Sequence, residues 1–424
     1  VIALNLLRRW LVAGLCVLAG CAVSQPEVPM RAFLSGDLTR VRDFAANEAE
    51  HGAVENQALV LNVQAECELL LGDLDNARKH FETAAQIMGT WQVSSGEVNA
   101  AILGSESSKT YKGDPYEKCM NAFYAAYCFL RHGEPDNARA CCKRGILADG
   151  ETADEKFQAD DALLFWMAGR MSVLMGSADA DGFFREAATA HAFALEHGSR
   201  GDPQPAVITQ PSHGNLVLLF AVGLGPEKYE DGAFAELARF RSRPQPAVRA
   251  AARLDGAPIG RSTILCDVDY QARTLGGTAM EGIRKGKAVF KAGAAVSGIV
   301  LLDQAAHSHG DKARTEAIVG GGLLLASLFT STAADVRHWP TLPSTVQVLA
   351  ADAPPGPHRV DVEFFDAAGR TLPSLRQSRE VDVPATGEAW QLFRSLPIEH
   401  DSRNDPTPAT TTTSKHAARK RKSP

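Results

Sequence analysis

The chain has 424 residues, of which 45% are hydrophobic and 22% charged, and a formal charge of −6. That length exceeds what one simple core covers, so two or three packed units are expected. The composition is that of an ordinary globular protein, and the acidic balance excludes a general nucleic-acid footprint.

Residues 1–20 read as a leader. Arg8 and Arg9 form a positive start, Trp10 to Gly20 is a short apolar run, and the run ends Leu18-Ala19-Gly20-Cys21. This looks like a bacterial lipoprotein precursor, with small residues before the cysteine to suit a peptidase's narrow subsites. Acyl chains on Cys21 would then hold the body to a membrane, each buried methylene contributing roughly 0.8 kcal/mol. The alternative is a plain signal peptide or short anchor with an incidental cysteine; the run is short for a comfortable span. Ala22 in place of an aspartate favours the outer membrane by resemblance to bacterial lipoproteins in general, with the body facing the periplasm.

Residues 21–53 read as a tether and a first helix, with Pro26 and Pro29 followed by the apolar stripe Phe33, Leu38, Val41 and Phe44. Residues 54–200 read as a helical domain of tetratricopeptide-like (TPR-like) pairs. Gly72 is followed by Ala77, Phe81 and Ala84 at the same offsets at which Gly133 is followed by Ala138, Cys142 and Gly145. A glycine to turn the chain, a small residue where helices nearly touch and a bulkier residue one turn on are what stacked helix pairs need. A strict tandem repeats at about 34 residues, so a weak helix with loops at 89–115 interrupts it. Asp114, Pro115 and Glu117 form a capping-box start to an aromatic helix at 116–130. That helix reads as buried; as an exposed platform it would make Tyr116, Phe123, Tyr124 and Tyr127 partner-binding residues. A third hairpin at 158–195 turns near Gly176 in a different register.

In an oxidising compartment the cysteines matter. Cys119, Cys128, Cys141 and Cys142 lie on one hairpin, where the alternatives are a cross-hairpin disulfide and buried free thiols. No Cys-x-x-Cys pair supports zinc.

Glycines and prolines at 198–205 mark a boundary. Residues 206–270 read as the first part of a β domain, with strands in Asn215–Val222, Pro246–Leu254 and Ser262–Val268. Residues 335–396 supply the second part, with strands at 345–350, 358–365, 379–383 and 388–393. In His358–Phe365 the apolar Val360, Val362 and Phe364 alternate with Arg359, Asp361 and Glu363, a strand with one wet side. These strands suffice for a small β-sandwich-like domain. Between its halves, residues 271–334 carry two small-residue-rich apolar runs, Ala292–Leu302 and Ala317–Phe329, that pack as a helical hairpin or touch a bilayer; neither reaches about 20 residues. Residues 397–424 read as a disordered basic tail that solubilises or contacts anionic surfaces. The whole is α+β.

No catalytic constellation emerges, and catalytic, cofactor-binding and metal sites are all expected to be none. His307 and His309 lack a nearby cysteine or a convincing third ligand, although Asp303 and Asp311 are available, Pro226 spoils Gly223-Leu224-Gly225 as a phosphate loop, and no Gly-x-Ser-x-Gly elbow occurs. The polar cluster Asp335, Arg337, His338 and Trp339 reads as structural, the alternative being peptide or glycan contact through Trp339. Its ion pair would fix the crossing into the sheet while Trp339 plugs the interface. Gly72, Ala77, Phe81, Gly133, Ala138 and Cys142 are the other structural candidates.

Four stretches, in this order, resemble a family of uncharacterised bacterial envelope lipoproteins with TPR-like repeats: Tyr111 through Glu117, Gly133 through Arg144, Asn215 through Lys228, and Asp335 through Pro343. The cysteines at 119, 128, 141 and 142 and the basic threonine-rich tail depart from that pattern. The resemblance implies architecture and location, with no activity to carry over. The sequence therefore predicts a non-enzymatic, lipid-anchored envelope scaffold that binds a protein partner through its helical repeats, with no cofactor and no specific nucleic acid. The alternatives are a membrane-active or oligomer-forming component using 292–334, and a protein that binds or modifies cell-wall polymer.

Overall fold

The computed structural model describes residues 24–89, 110–150, 160–232, 237–275 and 334–397. Among them the helices come first and the strands follow, a mixed α+β chain. The helices are α1 (Met30–Leu34), α2 (Leu38–His51), α3 (Gln57–Leu70), α4 (Leu74–Gly89), α5 (Pro115–Arg131), α6 (Pro135–Asp149), α7 (Ala162–Leu174) and α8 (Ala180–Glu196), then the short α9 (Ala206–Thr209) and α10 (Val268–Leu275). The leader at 1–20, Cys21, the weak helix within 90–109, most of the 271–334 insert with His307 and His309, and the tail from 398 lie outside the described residues.

From α2 to α8 each helix packs on the next. The turns repeat one device. Gly72 and Gly133 stand at φ +87° and +74°, where a side chain would be strained, and each lets the following amide reach back into the preceding helix: Asp73 N to Glu68 O at 2.9 Å, Glu134 N to Phe129 O at 3.0 Å. The third hairpin, whose sequence register differs, turns on the same bond, Ser177 N to Ser172 O at 2.8 Å. Ala77, Phe81, Ala138 and Cys142 are all fully buried. The helices alternate in character: α3, α5 and α7 are buried nearly all round, while α4, α6 and α8 bury one stripe. The six described cysteines are buried free thiols.

The strands are β1 (Leu216–Val222), β2 (Glu227–Asp231), β3 (Leu237–Arg241), β4 (Arg249–Leu254), β5 (Ala257–Arg261), β6 (Thr263–Asp267), β7 (Thr345–Ala351), β8 (Gly356–Phe365), β9 (Gln377–Val383) and β10 (Ala389–Arg394). One sheet has the order β10-β1-β7-β6, a second β5-β4-β8-β9, and β2-β3 form a hairpin. Each strand read from the sequence is present; β2, β3 and β5 are additional.

β1 explains the layering. Val217, Leu219 and Ala221 join the apolar core of the helices, while Leu216, Leu218, Phe220 and Val222 join Val360, Val362, Phe364, Val381 and Val383 of the second sheet. A strand covered on both faces has no wet side to mark, so it reads as an unbroken apolar run. The first sheet thus lies between the helices and the second sheet.

Close helix contact is tested at Gly145 of α6, where an added Cβ would stand 2.5 Å from Leu164 Cδ1 and 2.8 Å from Ala122 Cβ. Gly145→Ala is expected to destabilise by about 1–3 kcal/mol. Gly182→Ala on α8, where a Cβ meets nothing within 4 Å, is expected to stabilise by roughly 0.5–1 kcal/mol. Urea unfolding of the pair checks the contrast.

Candidate functional site

The densest polar chemistry lies where the segment 334–344 crosses between the helices and the first sheet. Glu66 sits in the middle of α3 and is fully buried. Its Oε2 accepts from Trp339 Nε1 at 3.0 Å and from Thr341 Oγ1 at 2.6 Å. Its Oε1 accepts from the Tyr124 hydroxyl at 3.4 Å and faces Arg394 Nε at 3.6 Å. Arg394, at the end of β10, also donates to the carbonyls of Ala221 (3.0 Å), Gly223 (2.6 Å) and Thr341 (2.9 Å). One carboxylate and one guanidinium therefore join α3, α5, the crossing segment, β1 and β10.

A second carboxylate repeats the role. Glu117 caps α5 by accepting the Asp114 amide at 2.7 Å through Oε2, half of the capping box read from the sequence. Its Oε1 accepts the Trp339 amide at 2.6 Å. The carboxylate of Asp114 is held by Lys228 of β2 at 2.7 Å. Asp335 and Arg337 pair at 2.6 Å, and Arg337 donates onward to Glu55 O at 3.2 Å and Asn56 Oδ1 at 3.1 Å at the start of α3. The Trp339 ring lies 5.8 Å from Tyr124 and 6.1 Å from Phe81, and Phe81 stacks on Tyr124 at 5.5 Å. The predicted plug and register pair are thus in one place.

The helix proposed as a partner surface is turned the other way. Tyr116, Phe123, Tyr124 and Tyr127 are each 1–2% exposed. Tyr116 meets Phe240 of β3 edge-on at 5.7 Å, and the Tyr127 hydroxyl accepts the Leu392 amide of β10 at 3.1 Å. Their assignment as partner-binding residues is corrected: the chain's own strands and crossing segment fill that face.

Burial sets the electrostatics. It pushes the Glu66 carboxyl up to about 7 against the pull of Arg394 and three hydrogen bonds. Glu117 is raised by burial with Asp114 adding to it, and burial lowers His338 to about 4, which keeps it neutral. Burial works against the charge on Lys228, but Asp114, Asp335 and Glu117 outweigh it and hold the ammonium above its ordinary value.

A second acidic knot lies at the start of α7. Asp161 caps that helix through the amides of Leu163 (3.0 Å) and Leu164 (3.2 Å), Asp149 accepts the Asp161 amide at 3.1 Å, and Asp160 accepts from Tyr270 at 2.8 Å and Gln271 at 2.7 Å. Burial raises Asp161 to about 7. Among the described residues no group of three or more His, Cys, Asp and Glu has a metal-holding arrangement, and no helix is long and apolar enough to cross a membrane. The hydrogen bonds of both clusters join pieces of chain that lie far apart in sequence.

Sequence reasoning found Trp339, Asp335 and Arg337 but missed Glu66, Lys228 and Arg394. The available signal for Glu66 was a carboxylate inside the apolar run Leu59–Leu70. Neither a scan of protein-family models nor a search of curated proteins returns a match for this chain.

The raised carboxyls fix the sign of a pH effect. Glu66 and Asp161 hold their protons to about pH 7 when folded, and acids in unfolded chains release them near pH 4. These two acids bind more protons folded than unfolded in that window, so their contribution falls as pH rises from about 4 through about 7. His338, lowered by burial from 6.5 to about 4, contributes in the opposite sense up to about 6.5. Two carboxyls outweigh one imidazole, so a net loss is expected between about pH 5 and about pH 8, read as a lower urea midpoint. Glu66→Gln is expected to flatten part of that slope; an unchanged slope contradicts the assignment.

Proposed function

We propose that the chain is a non-enzymatic, lipid-anchored component of the bacterial cell envelope, tethered through Cys21 and serving as a scaffold. The observation that carries the reading is how soon the chain after Cys21 becomes part of the body. The Ser24 carbonyl accepts from Asn56 Nδ2 at 2.9 Å, and Gln25 Oε1 accepts the His338 amide at 3.0 Å. The three peptide steps from Cys21 to Ser24 span at most about 10 Å. Acyl chains on Cys21 would therefore hold the corner formed by Ser24, Asn56 and His338 against the lipid surface.

The glycine turns, the buried small residues that follow them and the helix-on-helix order support a TPR-like reading of α3–α8. The apolar cluster shared by the two four-stranded sheets supports a sandwich-like reading of the strands. Because the inner helical face is filled from within, the scaffold surface lies on what remains exposed of the helices, the outer faces of α4, α6 and α8. The resemblance to envelope lipoproteins, and with it the outer-membrane address and a periplasmic orientation, belongs to this proposal.

A second reading, membrane contact by 292–334, has one observation in its favour. The chain re-enters the described fold at Ala334, one residue from the Asp335–Arg337 pair that touches Asn56, at the corner where Ser24 is held. The first described residue, Ser24, and the residue that follows that segment, Ala334, therefore lie at one corner.

Metabolic labelling with an alkyne fatty acid tests the tether. The wild-type chain is expected to take up label and sediment with membranes, and Cys21→Ser is expected to lose the label. Unlabelled wild type recovered in the cytoplasm contradicts the reading.

A further inference from the structure

The outward face of the second sheet carries three exposed arginines, of which the fold itself uses only one. On β4 the burial alternates, with Ala250, Ala252 and Leu254 inward and Arg249, Ala251 and Arg253 outward. On β5, Arg261 stands directly opposite Ala251, and residues opposite each other in an antiparallel pair share a face. Three arginine positions therefore surround one alanine: the backbones of Arg249 and Arg253 are about 13 Å apart along the strand, and that of Arg261 is about 5 Å across from their midpoint.

The carboxylates of the adjacent strand β8 and of the β4–β5 turn are already engaged, and the exposed Glu380 and Asp382 stand one strand further off, on β9. On β8, Glu363 lies opposite Ala251 and Asp361 opposite Arg253. Glu363 is bound by Arg376, and Asp361 is held by Arg359 at 3.0 Å and by Ser378. Asp255, at the neighbouring turn, accepts from His358 and from the Arg359 amide at 2.8 Å. Arg253 donates only to the Gly256 carbonyl, at 3.1 Å. Among the described residues, Arg249 and Arg261 have neither a hydrogen bond nor an ion pair.

We propose that this face binds the phosphate groups of an anionic lipid surface. The guanidinium fork matches phosphate oxygens. The spread of about 13 Å on a pleated, open face suits several headgroups displayed in a plane, where one small anion would need donors converging on a point. The complementarity is one of charge: the patch is locally cationic in a chain of formal charge −6. The proposal rests on the membrane-tethered reading for the presence of such a surface, but uses no acyl chain.

The test uses the full chain carrying Cys21→Ser, so that failure of the lipid tether and failure of this site are read separately. Its partitioning onto vesicles containing phosphatidylglycerol is divided by that onto phosphatidylcholine alone, a ratio in which apolar insertion cancels. Each arginine near an anionic surface is worth roughly fivefold, so the triple variant Arg249→Gln, Arg253→Gln, Arg261→Gln is expected to lower the ratio on the order of 100-fold. High salt is expected to lower the wild-type ratio similarly. These side chains are outward and the variant should unfold at the wild-type urea midpoint, which is measured alongside. An unchanged ratio in the triple variant overturns the proposal and moves the contact to another basic segment such as Lys415–Lys422. Displacement of the chain from vesicles by inorganic phosphate at low concentration also overturns it, in favour of a site for a soluble anion.

Discussion

One buried tryptophan, held by two buried carboxylates, is the constraint on which the rest of the molecule depends. Trp339 gives its indole N–H to Glu66 of α3 and its amide N–H to Glu117 of α5. A carboxylate placed inside protein is costly unless its oxygens are satisfied, and both are: Thr341, Tyr124 and the Asp114 amide take the remaining positions. Arg394 then ties the same point to β1 and β10. Removing any one partner would leave another polar group buried and unpaired, which makes the crossing segment a cooperative joint.

That joint changes what the helical stack can do. In a stack of helix pairs the inner face is the natural place for an extended ligand. Here residues 334–344 and the first sheet occupy it. A second pin, Arg170 of α7, donates to the carbonyls of Pro211, His213 and Gly214 and pairs with Glu388 at 2.8 Å. The helices and sheets are therefore joined at both ends of β1. Buried ion pairs of this kind contribute more to register than to net stability, in keeping with a pH dependence that favours the protonated acids.

Much of the architecture was legible because it is local. The glycine turns at 72 and 133 are set by backbone conformation within six residues, and β1 and β8 announce their environments through an unbroken apolar run and a strict alternation respectively. The turn at Gly176 was harder to read because the residues after it follow a different spacing, although the backbone does the same thing. β2 and β5 were missed for a physical reason: Glu227–Asp231 has charged residues at every position but Tyr229 and Ala257–Arg261 contains proline and glycine, so neither shows an apolar face in sequence, and both are largely exposed. The joint itself was half legible. Asp335, Arg337 and Trp339 stand out as a cluster, but their partners lie far away in sequence, 273 residues in the case of Trp339 and Glu66. The aromatic helix was ambiguous because Tyr and Phe at helical spacing suit a platform and a core equally, and only the strands that cover it decide between them.

Hydrogen exchange of the full chain, followed by mass spectrometry, addresses the joint most directly. If the crossing segment locks helices to sheets, amides at 337–344 will exchange as slowly as those of α5 and β1 and with the same dependence on denaturant, all opening in one step. Fast exchange at 337–344 while α5 and β1 stay protected would contradict it, and would mean that the inner helical face is open to a partner after all.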